Sequence, residues 1–358
     1  MKYPELLDFS DVLLRRSEFD TIIDVRSQAE FAEDHIIGAI NCPVLNDEER
    51  IVIGTMYKQI GSFEAKRLGA ALVAKNIGSH IESMFQDKPR DWKPLIYCWR
   101  GGNRSGSMAH IFARIGWPVA QLNGGYKAYR QHVNQSLESV QNRFQWQVLC
   151  GPTGSGKSRI LQTLVSLGAQ VLDLEQLAVH RGSVLGNIPE QAQPSQKQFE
   201  SRIYECLQSF NTQQPVYVEA ESKKIGNLRV PENLMTAMRA SPCVTIHLPT
   251  EQRVALLMNE YAHFMENTHQ LIQQLHFLIS LHGKEKISHW KTLTESGEIK
   301  QLVSELLRQH YDPAYSKSIT RNFTHYTDAM MVEQTGIDEA DFIDSARMIL
   351  QNGTHPAT

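Results

Sequence analysis

The sequence predicts an α/β fold in two parts. A parallel-sheet domain spans residues 8–135, and a second α/β domain spans 144–350, built on a phosphate-binding loop and carrying a helical C-terminal region. Short β-branched runs alternate with helical segments, the pattern of a doubly wound parallel sheet. One run, Pro94-Leu95-Ile96-Tyr97, delivers Cys98 into a loop holding two glycines and two arginines. Another, Trp146-Gln147-Val148-Leu149-Cys150, leads into Gly151-Pro152-Thr153-Gly154-Ser155-Gly156-Lys157-Ser158, a match to GxxxxGK(S/T).

In chain order, Thr21-Ile22-Ile23-Asp24-Val25 reads as a strand, Gln28 to Asp34 as a helical turn and His35 to Asn41 as a returning strand. Residues 64 to 86 read as a helix with Leu68, Ala71, Leu72 and Ile77 on one side. The run 94–98 is a strand, and Ser105 to Ile115 is the helix that follows the cysteine loop. Val119 to Leu122 is a strand before the turn Asn123-Gly124-Gly125, and residues 131–143, rich in Gln, Asn and Ser, read as a linker. Beyond the second loop, Arg159 to Leu164 reads as a helix.

Composition narrows the function classes. At 358 residues the chain is long enough for two or three cores, with 41% hydrophobic and 21% charged residues. A formal net charge of -3 excludes a global basic field, so a polyanion would have to be held by a local patch. Five cysteines (Cys42, Cys98, Cys150, Cys206, Cys243) without CxxC spacing point to a reducing compartment and away from a disulfide framework or zinc site. The opening MKYPELLDFS lacks a signal-peptide layout, and no uncharged apolar window approaches the roughly 18 residues of a membrane span. The expectation is a cytoplasmic protein with no membrane partner.

Gly101 and Gly102 let the backbone turn its N–H groups inward, a nest for an anion. With Arg100 and Arg104 beside it, Cys98 would favour the thiolate and serve as a nucleophile or a carrier of a reactive atom. A buried structural cysteine next to a glycine turn is the plainer reading. Residues from about 8 to 132 resemble a rhodanese domain. The resemblance lies in Ile23-Asp24-Val25-Arg26 with Glu30-Phe31, in His35-Ile36-Ile37-Gly38-Ala39-Ile40 and in Leu122-Asn123-Gly124-Gly125-Tyr126. It puts the persulfide-carrying cysteine at Cys98. Many single-domain rhodaneses have CxxGxRS, whereas here the spacing to Arg104 is C-x5-R, that of the cysteine phosphatases. The longer loop should admit a larger anion or a bulkier chalcogen.

In the second domain, the N–H groups from Gly151 through Thr153, Gly154, Ser155 and Gly156 would cradle phosphates. Lys157 would reach a terminal phosphate, and Ser158 could hold a metal ion. A nucleotide-hydrolysing loop of this kind wants a strand ending in a carboxylate, and Asp173, Glu219 and Glu221 are the candidates. A strand with a solvated acid at its end fits them equally, so the loop can serve a diphosphate or another phosphate donor rather than ATP turnover. Mg2+ is compatible with the loop, and no other metal site is expected.

Further on, His180-Arg181-Gly182-Ser183-Val184-Leu185-Gly186 is a glycine-punctuated loop, and Pro189 to Gln198 reads as a mobile excursion. Lys223, Lys224 and Arg229 form a basic cluster, either a solvated face or a polyphosphate contact. Residues 251 to 308 read as helices with Leu256, Leu257, Tyr261 and Phe264 at core spacing. His263, His269, His276 and His282 are too irregularly spaced for ligands. Tyr311-Asp312-Pro313-Ala314-Tyr315 breaks this region, and the tail from Gly353 reads as disordered.

Over nearly its whole length the chain resembles the bacterial tRNA 2-selenouridine synthases, through YCWRGGNRS, GPTGSGKS, HRGSVLG and YDPAY. The resemblance implies conversion of 2-thiouridine at the tRNA wobble position to 2-selenouridine with selenophosphate as donor. It also implies S-geranylation from geranyl diphosphate, which makes the leaving group that selenium replaces. Cys98 would carry selenium as an S-selanyl intermediate, Arg100 and Arg104 would stabilise the anion, and Lys157 and Ser158 would hold a diphosphate or selenophosphate group. No tightly bound cofactor is implied. The partners would be the anticodon region of tRNA and small-molecule phosphate donors. A sulfurtransferase or cysteine phosphatase fused to a small-molecule kinase, and a regulatory module that only binds anions, remain open on the residues alone.

Overall fold

Short apolar runs closed by polar loops become the strands of two separate parallel sheets in the computed structural model, which describes residues 3–100, 102–183, 185–261 and 268–352. The chain divides into two compact units: Met1–Ser136 with Pro194–Glu205, and Leu137–Gln193 with Cys206–Thr358. Where the sequence suggests a linker over 131–143, the helix Gly125–Glu138 runs on, followed by a short turn Val140–Asn142. The expected mobile excursion over 189–198 is tied down at Gln193, whose Nε2 donates to the carbonyls of Ala178 (3.2 Å) and Ile225 (3.0 Å). Its end enters the helix Gln196–Gln208. Gln-rich composition suits a helix as well as a loop, which is why it misleads in both places.

The first unit holds β1 (Glu5–Leu7), β2 (Thr21–Asp24), β3 (Ala39–Asn41), β4 (Pro94–Tyr97) and β5 (Ala120–Leu122). They pair in parallel in the order β1-β5-β4-β2-β3. The edge strand β1 has no expectation in the sequence; it is three residues long with only Leu7 buried. The run His35–Asn41 shortens to β3 because His35 Nδ1 bonds the Phe31 carbonyl (2.8 Å) and Gly38 turns at φ 81°. The long helix is Ser62–His80, closed by one wide turn at Ile81–Phe85. Its buried residues are Ala65, Gly69 and Ile77, while Leu68 and Ala71 face solvent. The small residues win because the helix packs on Asp47–Gln59, where a Cβ at Gly69 would lie 3.7 Å from Ile53. Ile23, Ile96, Met108, Phe112 and Trp117 form the core.

The second unit holds β6 (Gln145–Cys150), β7 (Gln170–Leu172), β8 (Pro215–Glu219), the antiparallel pair β9 (Lys224–Ile225) and β10 (Leu228–Arg229), β11 (Cys243–His247) and β12 (Met330–Glu333). The parallel sheet runs β12-β11-β6-β8-β7. Leu149, Ile160, Leu164, Ile246 and Phe342 pack on it. The helices Thr250–Glu260, Thr268–His276, Ile279–Glu295 and Ile299–Leu306 follow, with Leu256 and Leu257 buried as expected. Phe264, His263, Val184, Gly101 and the tail from Gly353 lie outside the described residues. The segment Tyr311–Tyr315 does not break the region: a wide turn at Leu307–Tyr311 feeds the helix Asp312–Asn322. Pro313 sits in the first turn of that helix, where a missing N–H costs nothing. Among the described residues, no helix is long and apolar enough to cross a membrane.

In each sheet the strand order reverses beside one central strand, between β4 and β2 and between β6 and β8. The loops leaving the carboxyl ends of such strands diverge and open a crevice, the usual ligand position in open α/β sheets. Cys98 follows β4 and Gly151 follows β6.

Candidate functional site

The helix after the cysteine is Asn103–Ile115, two residues longer at its start than expected, so Gly102 is its N-cap and Arg104 lies in its first turn. The positive end of its dipole therefore faces the sulfur. Cys98 is 3% exposed, and Ser105 Oγ donates to its Sγ at 3.3 Å. Burial pushes the Cys98 thiol up, but the Ser105 hydroxyl, the amides of Ser105 and Gly102 and the Arg104 charge together bring it below the ordinary thiol range. The following loop clamps this geometry: Tyr126 N donates to the Cys98 carbonyl (2.7 Å) and Lys127 N to that of Trp99 (2.9 Å). The Trp99 ring, 39% exposed, stacks on Tyr126 at 5.3 Å.

The two arginines part company. Arg100 is exposed and makes no ion pair among the described residues, free to meet an anion. Arg104 Nη1 pairs with Glu30 Oε2 at 2.8 Å, and Arg50 joins the same carboxylate at 3.0 Å. Glu30 is a site residue outside the loop motif, and Ser105, which closes YCWRGGNRS, gains a role that the sequence reading did not give it. Glu30 also accepts from Ser27 N (3.2 Å), and the Ser-x-x-Glu spacing of that capping box is the signal that could have found it. Asp24 and Arg26 of the opening signature form a buried ion pair at 2.6 Å, with the Arg26 guanidinium 4.0 Å over the Tyr126 ring. They frame the loop rather than face an anion.

In the second unit the loop after β6 enters the helix Lys157–Ser166 through Gly156, whose φ is 84°. A Cβ there would lie 2.8 Å from Phe342 Cε1. Lys157 Nζ donates to the Gly151 carbonyl (2.7 Å), and Gly151 N donates to the Tyr315 hydroxyl (2.6 Å). The buried Arg253 donates through Nε and Nη2 to the Thr153 carbonyl (2.9 and 2.7 Å) and pairs with Asp312 at 2.6 Å. Arg253, Asp312 and Tyr315 thus set the shape of the loop. YDPAY supplies two of them, and Arg253 gives no sequence signal.

The carboxylates sort themselves differently from the strand-end expectation. Asp173 caps the helix Leu174–Ala178, accepting from Gln176 N at 2.8 Å. Glu175 instead accepts from Ser158 Oγ at 3.2 Å, and its own N donates to Glu219 Oε1 at 3.1 Å. One oxygen from each of Glu175, Glu219 and Glu221 lies within 4.8 Å of the others, the only such grouping among the described residues. Burial, with the neighbouring Glu221 charge, lifts Glu175 to about 8. Burial and the other acids raise Glu219, and burial raises Glu221. Glu219 Oε2 is buried without a hydrogen-bond partner among the described residues. A hard, all-oxygen set beside Ser158, short of positive charge, fits Mg2+.

A cavity of about 700 Å3 joins Ser158, Glu175 and Glu221, lined also by His180, Arg181, Gly182 and Ser183. Arg181 donates to the Glu260 carbonyl, and its guanidinium lies 4.6 Å over the Tyr261 ring. Of the basic cluster, Lys223 is exposed and pairs with Glu232 at 2.9 Å, as a solvated face does.

The family profile described as the tRNA 2-selenouridine synthase AAA domain matches residues 144–335, and the rhodanese-like domain profile matches 10–132. A tRNA 2-selenouridine synthase from Sulfurovum sp. is 30% identical, over 89% of this chain and 93% of that one. Another, from Nitrosomonas europaea, is 35% identical over 67% of this chain and 63% of that one. Among solved structures, a rhodanese-related protein from Thermoplasma volcanium is 18% identical, covering 36% of this chain and 93% of that one with a TM-score of 0.24.

Proposed function

The chain belongs to the tRNA 2-selenouridine synthase family, and from that premise we propose that it exchanges sulfur for selenium in 2-thiouridine at the tRNA wobble position. Selenophosphate supplies the selenium, and the exchange passes through an S-geranyl intermediate made from geranyl diphosphate. The observation that carries the reading is the presence, in one chain, of a cysteine with a lowered pKa at a helix N-terminus and a phosphate-binding loop beside a largely enclosed acidic cluster of one buried and two half-buried glutamates.

The two sites suit two steps. In the first, the thio sulfur of the base attacks C1 of geranyl diphosphate, the C1–O bond breaks and diphosphate leaves while the base gives up its N3 proton. The loop amides and Lys157 hold the departing diphosphate. A divalent cation held by Ser158 and the three glutamates would supply further charge neutralisation to that leaving group. In the second step, the selenium of selenophosphate displaces a small thiol from a mixed disulfide at Cys98 and water takes the phosphate, breaking the P–Se bond. The selanyl anion on Cys98 adds at C2 of the base and geranylthiol departs, a far better leaving group than the original thiocarbonyl sulfur. The small thiol then cleaves the S–Se bond, which frees 2-selenouridine and restores the disulfide, so electrons balance over the cycle. Arg100 and Arg104 favour the anionic form of the carrier. The tRNA would be held by phosphate and shape contacts around its anticodon, so binding should weaken with salt.

Lys157→Ala tests the first assignment. Loss of a charged hydrogen-bond donor should slow geranyl diphosphate consumption by about ten- to a hundredfold while Cys98 alkylation stays unchanged. Undiminished consumption would remove the loop from that step.

A further inference from the structure

We infer that an apolar pocket opening from the phosphate-binding cavity takes the hydrocarbon chain of the diphosphate substrate and sets its length; this rests on the reading of the loop as a prenyl diphosphate site. Ile299, Leu302, Val303 and Leu306 form a single stripe along the helix Ile299–Leu306, and Leu257 and Met258 face them from Thr250–Glu260. Two such helices normally close on each other, but here a space of about 60 Å3 remains between them. Among its described lining residues there is no charged side chain, and the hydroxyl-bearing ones lie at the mouth shared with the larger cavity, so an ion reaching the inner end would have no charged partner. A hydrocarbon needs none.

The mouth of the pocket joins it to the phosphate site. Thr153, Ser183, Leu257, Tyr261 and Tyr311 line both the pocket and the larger cavity that holds Lys157, Ser158, Glu175 and Glu221. Arg253, on the helix that forms one pocket wall, grips the Thr153 carbonyl, so loop and wall are fixed to each other. A ligand with its charged head on the loop therefore has an apolar channel beside it, which calls for a diphosphate ester of a short hydrocarbon. A space of about 60 Å3 is several times the roughly 10–15 Å3 that admits one water-sized group and well short of the roughly 150 Å3 that holds a benzene, so it takes only the tip of a hydrocarbon chain. Most of a two-unit chain would lie along the shared mouth with the tip of its second unit in the pocket, while a third unit would have no room.

The test compares the full-length protein's affinity for inorganic, dimethylallyl, geranyl and farnesyl diphosphate. Wild type should bind geranyl diphosphate at least about tenfold more tightly than the dimethylallyl and inorganic forms. Val303→Phe, at a half-buried pocket position, should erase that preference and leave inorganic diphosphate binding intact. Leu302→Ala should gain affinity for the farnesyl ester. Wild-type affinity that ignores chain length, or a Val303→Phe protein that keeps the geranyl preference, overturns the pocket assignment. Failure of wild type to bind inorganic diphosphate at all would instead overturn the underlying reading of the loop, and the wild-type comparison needs no variant to fold.

Discussion

Removing one hydroxyl should measurably weaken the cysteine. Ser105 is fully buried and its Oγ lies 3.3 Å from Cys98 Sγ. Ser105→Ala leaves the main-chain amides at positions 102 and 105 and the Arg104 charge in place, so the sulfur loses only its side-chain donor; the hydroxyl's bonds with Gln121 Nε2 (3.1 Å) and the Gly102 carbonyl (3.4 Å) go with it but do not touch the sulfur. A hydrogen bond to a charged group contributes about 1.5–3 kcal/mol, and a sulfur acceptor belongs at the weak end of that range. About 1.5 kcal/mol is roughly a tenfold smaller thiolate fraction at a fixed pH below the midpoint. The assay is the pH dependence of Cys98 alkylation by iodoacetamide, followed by mass spectrometry of the Cys98 peptide. That readout separates it from Cys42, Cys150, Cys206 and Cys243, which are buried or half-buried. A more basic thiolate is intrinsically more nucleophilic, so the rate at pH 7 should fall by only about threefold while the midpoint moves up by the full amount. A folded variant with an unmoved midpoint would refute the account of how this loop activates its cysteine.

Two other outcomes follow from the phosphate-binding loop. Gly156→Ala places a Cβ at φ 84° and within 2.8 Å of Phe342 Cε1; the backbone conformation alone costs about 1–2 kcal/mol, so thermal unfolding should shift down and diphosphate binding should be lost together. The folded-state pKa of Glu175 is raised from 4.5 to about 8. Between those pH values the folded protein holds a proton that the unfolded chain has released, so without divalent cations stability should fall as pH rises through that window. Glu175→Gln should flatten the fall, which denaturant titrations across the window would detect; parallel slopes for the two proteins would contradict it.

The central strands β2, β4 and β6 and both loops were legible because each is a contiguous signal, an apolar run and then a polar or glycine-containing loop, whereas β1, β11 and β12, at or next to the sheet edges, carried no reading. The residues that complete the sites were not, because folding alone brings them together. Glu30 meets Arg104 from 74 positions away, and Arg253 meets Thr153 across 100. At the end of β7, strand-end position favours Asp173. Yet Asp173 lies at the N-cap, where a short carboxylate bonds the first turn, and Glu175 inside that turn is the one that reaches Ser158. Composition misled where it was read as order: residues 131–143 and 189–198 look like linker and excursion, yet helices cover 131–138 and 196–198.

The central claim divides the labour between Cys98, which delivers selenium, and the phosphate-binding loop, which installs the geranyl group. Its most direct test is nucleoside mass spectrometry of thiolated tRNA incubated with selenophosphate, geranyl diphosphate and either wild type or Cys98→Ser. Wild type should yield 2-selenouridine, and the variant should stop at S-geranyl-2-thiouridine. Formation of 2-selenouridine by Cys98→Ser would contradict the account.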